Sequence, residues 1–259
     1  VTPDTHLRRA WTDFLSAVQF LTRVPVSLAA FDSNSLARSV KFFPVVGFLI
    51  GASAALVHLL LTPHLQRVTT AFFVIVYLVL ITGCFHEDGL ADAADGLGGG
   101  WSRDQVLTIF RDSRIGSYGG TALTLSLIGR VLLLSQLPLS VVPQYLIAAH
   151  VLCRWTTLPL SFFLPPARAQ SEESADGQGA RIARLTTRGA LVAGSLFSFA
   201  VVIALLRGRA AFAIGAAIAI SFLSGAYYRK RISGVTGDCF GATNQIAEIA
   251  VYVCGAWIA

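Results

Sequence analysis

Residues 42–61 read FFPVVGFLIGASAALVHLLL, twenty consecutive positions without Asp, Glu, Lys or Arg. A helix of that length is about 30 Å long, which matches the hydrocarbon thickness of a bilayer. Working outward, comparable apolar runs cover Val68–Phe85, Gly119–Leu137, Val141–Leu164, Gly189–Leu206 and Ala210–Tyr227, with a shorter one at Thr243–Ala259. Two of them are interrupted by a single arginine, Arg130 and Arg154. Hydrophobic residues make up 54% of the 259 positions and charged residues 13%, against about 25% charged in ordinary soluble chains. Six or seven such runs in so short a chain leave too little polar surface to cover them as a soluble core. The expectation is one all-α integral membrane domain over residues 1–259, a polytopic bundle of about six or seven transmembrane helices in a lipid bilayer.

Basic residues stay on the cytoplasmic side of membrane proteins. Seven spans with a cytoplasmic N-terminus put fifteen Lys and Arg in inside segments and only Arg67, Arg207 and Arg209 outside. The net charge of +6 then records membrane orientation, and no basic-aromatic tract suggests a nucleic-acid partner. Before the first span, Trp11, Phe14, Leu15, Val18 and Leu21 fall on one helical face. Residues 10–22 are therefore expected to form an interfacial amphipathic helix rather than a signal peptide, since Gln19, Arg23 and Pro25 break the stretch. Cys84, Cys153, Cys239 and Cys254 lie far apart, with no spacing for a disulfide framework or a zinc site.

Three segments between spans are expected on the cytoplasmic side: 86–118, 165–188 and 229–242. The first begins His86-Glu87-Asp88-Gly89-Leu90-Ala91-Asp92-Ala93-Ala94-Asp95-Gly96. On a helix, Asp88, Asp92 and Asp95 share one face, where carboxylates repel unless a cation lies between them. Mg²⁺ prefers oxygen ligands, and one or two carboxylates plus substrate phosphates commonly hold it. Downstream, Arg111 and Arg114 have the guanidinium geometry for phosphate, and Asp112 adds a further candidate metal ligand. Asp238 and Glu248 can join the acids from another helix, and Arg154, if near the cytoplasmic end of its span, can point into the same cavity. The middle segment is rich in Pro, Ser, Glu, Asp and Gly from Pro165 to Gly179 and reads as a mobile connector.

The string His86 to Gly96, the Arg111 to Gly120 motif, Phe20-Leu21-Thr22-Arg23-Val24-Pro25, Phe43-Pro44-Val45-Val46-Gly47, and Thr236-Gly237-Asp238 with Gly241-Ala242 and Glu248 together resemble the cobalamin synthase family, the adenosylcobinamide-GDP ribazoletransferases. The resemblance runs along nearly the whole chain. It implies a Mg²⁺-dependent reaction of adenosylcobinamide-GDP with α-ribazole, or its 5′-phosphate, to give adenosylcobalamin, or its phosphate, and GMP, in the cytoplasmic membrane of a prokaryote. On that reading Asp88, Asp92, Asp95 and Asp112 hold metal, Arg111, Arg114, Arg154 and Asp238 contact substrate, and His86 is the first candidate for the base. Glu87 departs from the family pattern, standing where an apolar residue is expected, and Gln245 stands in place of an acid. Subunit number is left open, a homo-oligomer included.

Two rival classes share part of this logic. CDP-alcohol phosphatidyltransferases also gather aspartates around a pyrophosphate, but their D-G-x-x-A-R pattern is absent, because Asp92 follows Gly89-Leu90-Ala91. A cation transporter would carry its acids near the bilayer midplane, whereas most acids here fall in the segments between spans.

Overall fold

A computed structural model describes residues 3–26, 35–168 and 178–258. Among them the chain is helical, with no strand beyond one isolated bridge. In order the helices are α1 (Pro3–Leu21), α2 (Ser35–Ser39), α3 (Phe43–Leu61), α4 (Arg67–Thr82), α5 (Phe85–Gly99), α6 (Arg103–Ile109), α7 (Ser117–Gln136), α8 (Val142–Trp155), α9 (Thr157–Phe163), α10 (Gln178–Leu185), α11 (Arg188–Leu206), α12 (Ala210–Ile232) and α13 (Gly237–Ile258).

Two helices form the interior. Along α8 every residue from Ala148 to Trp155 is buried, and α13 buries Ala242, Thr243, Asn244, Gln245, Ala247, Glu248, Val251 and Tyr252. Helix α13 packs against α5, α7, α8 and α12, while α8 packs against α3 and α11. The outer helices α7, α11 and α12 leave Leu125, Ile128, Leu196, Phe212, Phe222 and Leu223 exposed, the pattern of a surface solvated by lipid tails. Neighbours of α13 are protein, so it tolerates polar side chains that a lipid-facing helix would not.

Among the described residues, four stretches are long and apolar enough to cross a membrane: Ser35–Leu61, Ser117–Gln136, Val142–Phe163 and Arg188–Ile232, with a fifth if α4 and α5 count together. This is fewer than the six or seven expected. One reason is that α13 is polar enough to fall outside the set. A second is that α4, at 16 residues, is short and bends by 89° into α5. The bend is made by two consecutive residues with left-handed backbone, Gly83 (φ 66°) and Cys84 (φ 59°). Helix α5 therefore leaves the direction of α4 and lies outside the four stretches. A third reason is that α11 and α12 are continuous over 45 residues, broken only where Arg207 leaves helical geometry (φ 52°, ψ −123°).

Helix α1 buries Asp13, Ser16, Ala17 and Leu21, and the Asp13 carboxylate accepts from Arg38 (3.1 Å) and Lys41 (3.3 Å). Of the apolar face read from the sequence, Trp11 is exposed and Phe14, Leu15 and Val18 are half-buried.

Backbone and arginine bonds stitch the three inter-span segments together. Ala167 N–H donates to Val235 O and Val235 N–H to Pro165 O, both at 2.9 Å. Arg103 donates to the carbonyls of Ile232 and Ala167, and Arg231 to that of Gly100. Of the stretch expected as a mobile connector, Pro165 to Gly179, residues 169–177 lie outside the described ones, and α10 begins at its end, at Gln178.

Candidate active site

The acid stripe follows from the helix that carries it. Asp88 is exposed and Asp92 and Asp95 half-buried along α5, while His86, Glu87, Leu90 and Ala93 turn inward. Helix α5 crosses the first turn of α13 with almost no side chain between them. A Cβ added to Gly89 would lie 3.1 Å from Gly241 Cα and 3.3 Å from Asp238 Cα, so the glycines at both positions permit the backbones to approach. That crossing brings Asp238 to the α5 acids. The Asp92 carboxyl is pushed up to about 6 by partial burial and then by the charges of Asp88, Asp238 and Asp95. Negative charge is thus in excess around Asp92.

The remaining predicted residues fall into distinct settings. Asp95 accepts the Gly116 N–H at 2.7 Å and the Gly119 N–H at 2.8 Å, capping α7, whose own N-cap Gly116 has no side chain to do so. Asp112 is engaged by Arg114 through Nε (2.9 Å) and Nη2 (2.6 Å), and these hydrogen bonds hold its carboxyl down near 2. Arg111 and Arg114 are both exposed on the loop before α7. Asp238 accepts from Thr236 Oγ1 at 3.1 Å and feels the positive charge of Arg168.

Inside the bundle lies a second charged group. Arg130, 1% exposed, donates to Glu87 on α5 (2.9 Å) and pairs with Glu248 on α13 (3.5 Å). Arg154 is equally buried and donates to His150 Nδ1 (2.9 Å). Glu248 therefore belongs to this interior group and not to the exposed acids, and Arg154 is held by its own helix.

Among the described residues, the only trio of His, Cys and carboxylate ligand atoms all within 4.8 Å of one another is His150, Cys153 and Glu248. A guanidinium only donates, so its bond to Nδ1 makes that nitrogen the acceptor and leaves the proton of a neutral ring on Nε2. Nε2 faces Glu248 Oε1 at 3.9 Å. Two buried carboxylates, Glu87 and Glu248, are already matched by Arg130 and Arg154, so the trio accommodates a proton better than a metal.

The α5 acids differ on both counts. Their donors are all oxygens and they repel one another around Asp92, which suits Mg²⁺; an open set of carboxylates is what that ion uses when waters and phosphates complete its shell. Sequence reasoning missed the crossing at Gly89 and Gly241 and the pairing of Glu87, although Glu87 was visible as a charge in an apolar position.

The chain is similar to known proteins over nearly its whole length. A family model described as cobalamin-5-phosphate synthase matches residues 13–256. Curated relatives include the adenosylcobinamide-GDP ribazoletransferases of Azorhizobium caulinodans (40% identical, covering 93% of this chain and 94% of that protein), Polaromonas sp. (37%, 93% and 95%) and Vibrio cholerae (37%, 93% and 91%). No solved structure matches the chain. With the match running from α1 into the last turns of α13 and the relatives aligned over nearly their full length, the chain belongs to the cobalamin-5-phosphate synthase family.

Proposed function

We propose that this protein transfers the phosphocobinamide group of adenosylcobinamide-GDP to α-ribazole, or its 5′-phosphate, forming adenosylcobalamin or its phosphate and releasing GMP. The observation that carries this reading is the mutually repelling cluster Asp88, Asp92 and Asp238, drawn together by the α5–α13 crossing in a chain of this family. Asp88, Asp92 and Asp238 would hold Mg²⁺, with Asp95 supporting them from the α7 cap. When bound, the ion would offset charge on the diphosphate and on the departing GMP oxygen.

The chain's own groups account for the rest. A ribazole hydroxyl forms the new P–O bond at the cobinamide-linked phosphorus as the bond to GMP breaks. Arg111 and Arg114 are exposed donors suited to the phosphate oxygens, and Arg114 can exchange Asp112 for them without leaving water. The hydroxyl proton needs a base that is unprotonated at pH 7. His86 meets that need, because burial first, and then Arg154, hold its pKa well below the usual range for histidine. It lies across α5 from the acids, so it serves an acceptor approaching from that side.

We place the N-terminus and the three stitched segments on the cytoplasmic side of the inner membrane, as the bias of basic residues favours. The 45 residues of α11 and α12 would extend about 67 Å as one helix, more than twice the hydrocarbon thickness. Two crossings that reverse at Arg207 are the better reading.

Purified protein given adenosylcobinamide-GDP, α-ribazole and Mg²⁺ is expected to release one GMP per corrinoid product, and to stop when the metal is chelated. Release of CMP from a CDP-linked lipid with no GMP would replace this reading by the phosphatidyltransferase one.

A further inference from the structure

The cavities differ in what they could accept. A groove of about 800 Å³ between α9 and α12 is lined by Trp155, Phe163 and Phe222, opens sideways and holds no acid. A hollow of about 340 Å³ beneath α1 is lined by Gln19, Thr22 and Arg23. A third, of about 180 Å³, lies between α1, α5, α10 and α13. Its walls include Phe20, Phe43, Phe85 and Phe240, with His86 and Thr157 as the main polar groups, and Gly237 and Gly241 at its α13 end.

Resting on the transfer proposed above, we infer that this third cavity receives the flat aromatic base of the acceptor nucleoside. Its position is the first reason. Gly237 and Gly241 flank Asp238 in the first turn of α13, and His86 is two residues before Asp88. A base held there leaves its ribose beside the α5–α13 crossing, on the His86 side of α5, with its hydroxyl toward Asp238, the acid that follows Gly237.

Size is the second reason. Whole drug-sized ligands occupy about 300–1,000 Å³, so 180 Å³ admits one ring system of a larger substrate and excludes a corrin or an intact guanosine diphosphate. The third reason is chemistry. Phe20 stacks on Phe43 (centroids 5.6 Å apart, 24° between planes) and meets Phe85 edge-on at 4.9 Å, while the His86 ring packs edge-on against Phe85 at 5.2 Å. Rings so arranged favour another π face. The few polar groups suit a base with little to hydrogen-bond, such as a benzimidazole, over guanine with its many donors and acceptors. The guanosine end then stays on the exposed side with Arg111 and Arg114.

Two substitutions test this from opposite directions. Phe240→Ala removes one aromatic wall. Gly237→Leu adds bulk at a position where a Cβ would meet nothing within 4 Å. Each is expected to raise KM for α-ribazole about tenfold or more, leave KM for adenosylcobinamide-GDP unchanged, and weaken α-ribazole binding measured by calorimetry without the second substrate. Thermal unfolding checks that both variants are folded. If folded Phe240→Ala and Gly237→Leu proteins keep wild-type α-ribazole affinity, the assignment is overturned. The same calorimetry separates the two readings: a wild-type protein that binds α-ribazole through this cavity yet releases no GMP would refute the transfer and spare the cavity.

Discussion

Adjacent residues of α5 belong to two charged regions with opposite fates. Glu87 turns into the bundle and meets Arg130, which also holds Glu248. Asp88 turns outward to join Asp92 and Asp238, and the three carboxylates repel one another around Asp92 although Asp238 also feels Arg168. The interior group is charge-balanced and made of fixed partners, so it fixes how α5, α7, α8 and α13 are arranged. The exposed group keeps an excess of negative charge that only a bound species can neutralise. Similar residues on one helix are thus divided between holding the fold and holding a ligand, and the sign of the leftover charge tells them apart.

The sharpest way to break this comparison is to remove the interior cation. Arg130→Met leaves two buried carboxylates, Glu87 and Glu248, against the one positive charge of Arg154 and is expected to cost about 3–5 kcal/mol of stability, seen as loss of folded protein after extraction. The charge-balanced combination of Glu87→Gln with Arg130→Met, which leaves Glu248 and Arg154, should recover most of it, since well-matched neutral groups can replace a buried ion pair. A double variant no more stable than the single one would mean that the region does not act as a balanced unit.

On the exposed side the effects reverse. Asp92→Asn is expected to lower GMP release by roughly 10²–10³-fold with unfolding temperature unchanged or raised, because a repelled carboxylate has been removed. Retained turnover would refute a ligand-holding role for the cluster. The crossing that joins the regions gives a smaller effect. Gly241→Ala adds a Cβ 3.1 Å from Gly89 Cα, which forces the helices apart by a few tenths of an ångström. Activity should fall by about tenfold or less, chiefly through a higher Mg²⁺ requirement, and a variant with wild-type metal dependence would show that the spacing is not critical.

Much of this was legible in the sequence. The apolar run Phe42–Leu61 became α3 within one residue, Gly119–Leu137 became α7, and the three aspartates share a helix as their spacing required. What could not be read depends on partners far away in the chain. Thr243–Ala259 looked like a weak span because Asn244, Gln245 and Glu248 interrupt it, yet these residues are buried against other helices at the centre of the bundle. The departures from the family pattern, Glu87 and Gln245, meet across 158 residues, with Gln245 Nε2 donating to Glu87 Oε1 at 3.4 Å. Asp95 read only as a metal ligand because its capping of α7 spans 24 residues to Gly119.

Acidification separates the regions most gently. The Asp92 carboxyl titrates near 6 in the folded protein against an ordinary value of 3.8, so between these values the folded state binds a proton that the unfolded chain has lost. Stability contributed by such a group rises as pH falls. Asp112, held near 2 by Arg114, has the opposite sign: its contribution is present above its ordinary value and is lost only well below pH 4, outside the window. Metal-free protein should therefore unfold at a slightly higher temperature at pH 5 than at pH 7.5. The gain is only about one or two degrees, because a half-exposed carboxylate is well screened. Asp92→Asn should flatten this slope, and so should saturating Mg²⁺ at pH 7.5, whereas the charge-balanced double variant of the interior should leave it intact. A slope that persists in Asp92→Asn and vanishes in the double variant would reverse the assignment, making the buried group the one with unbalanced charge.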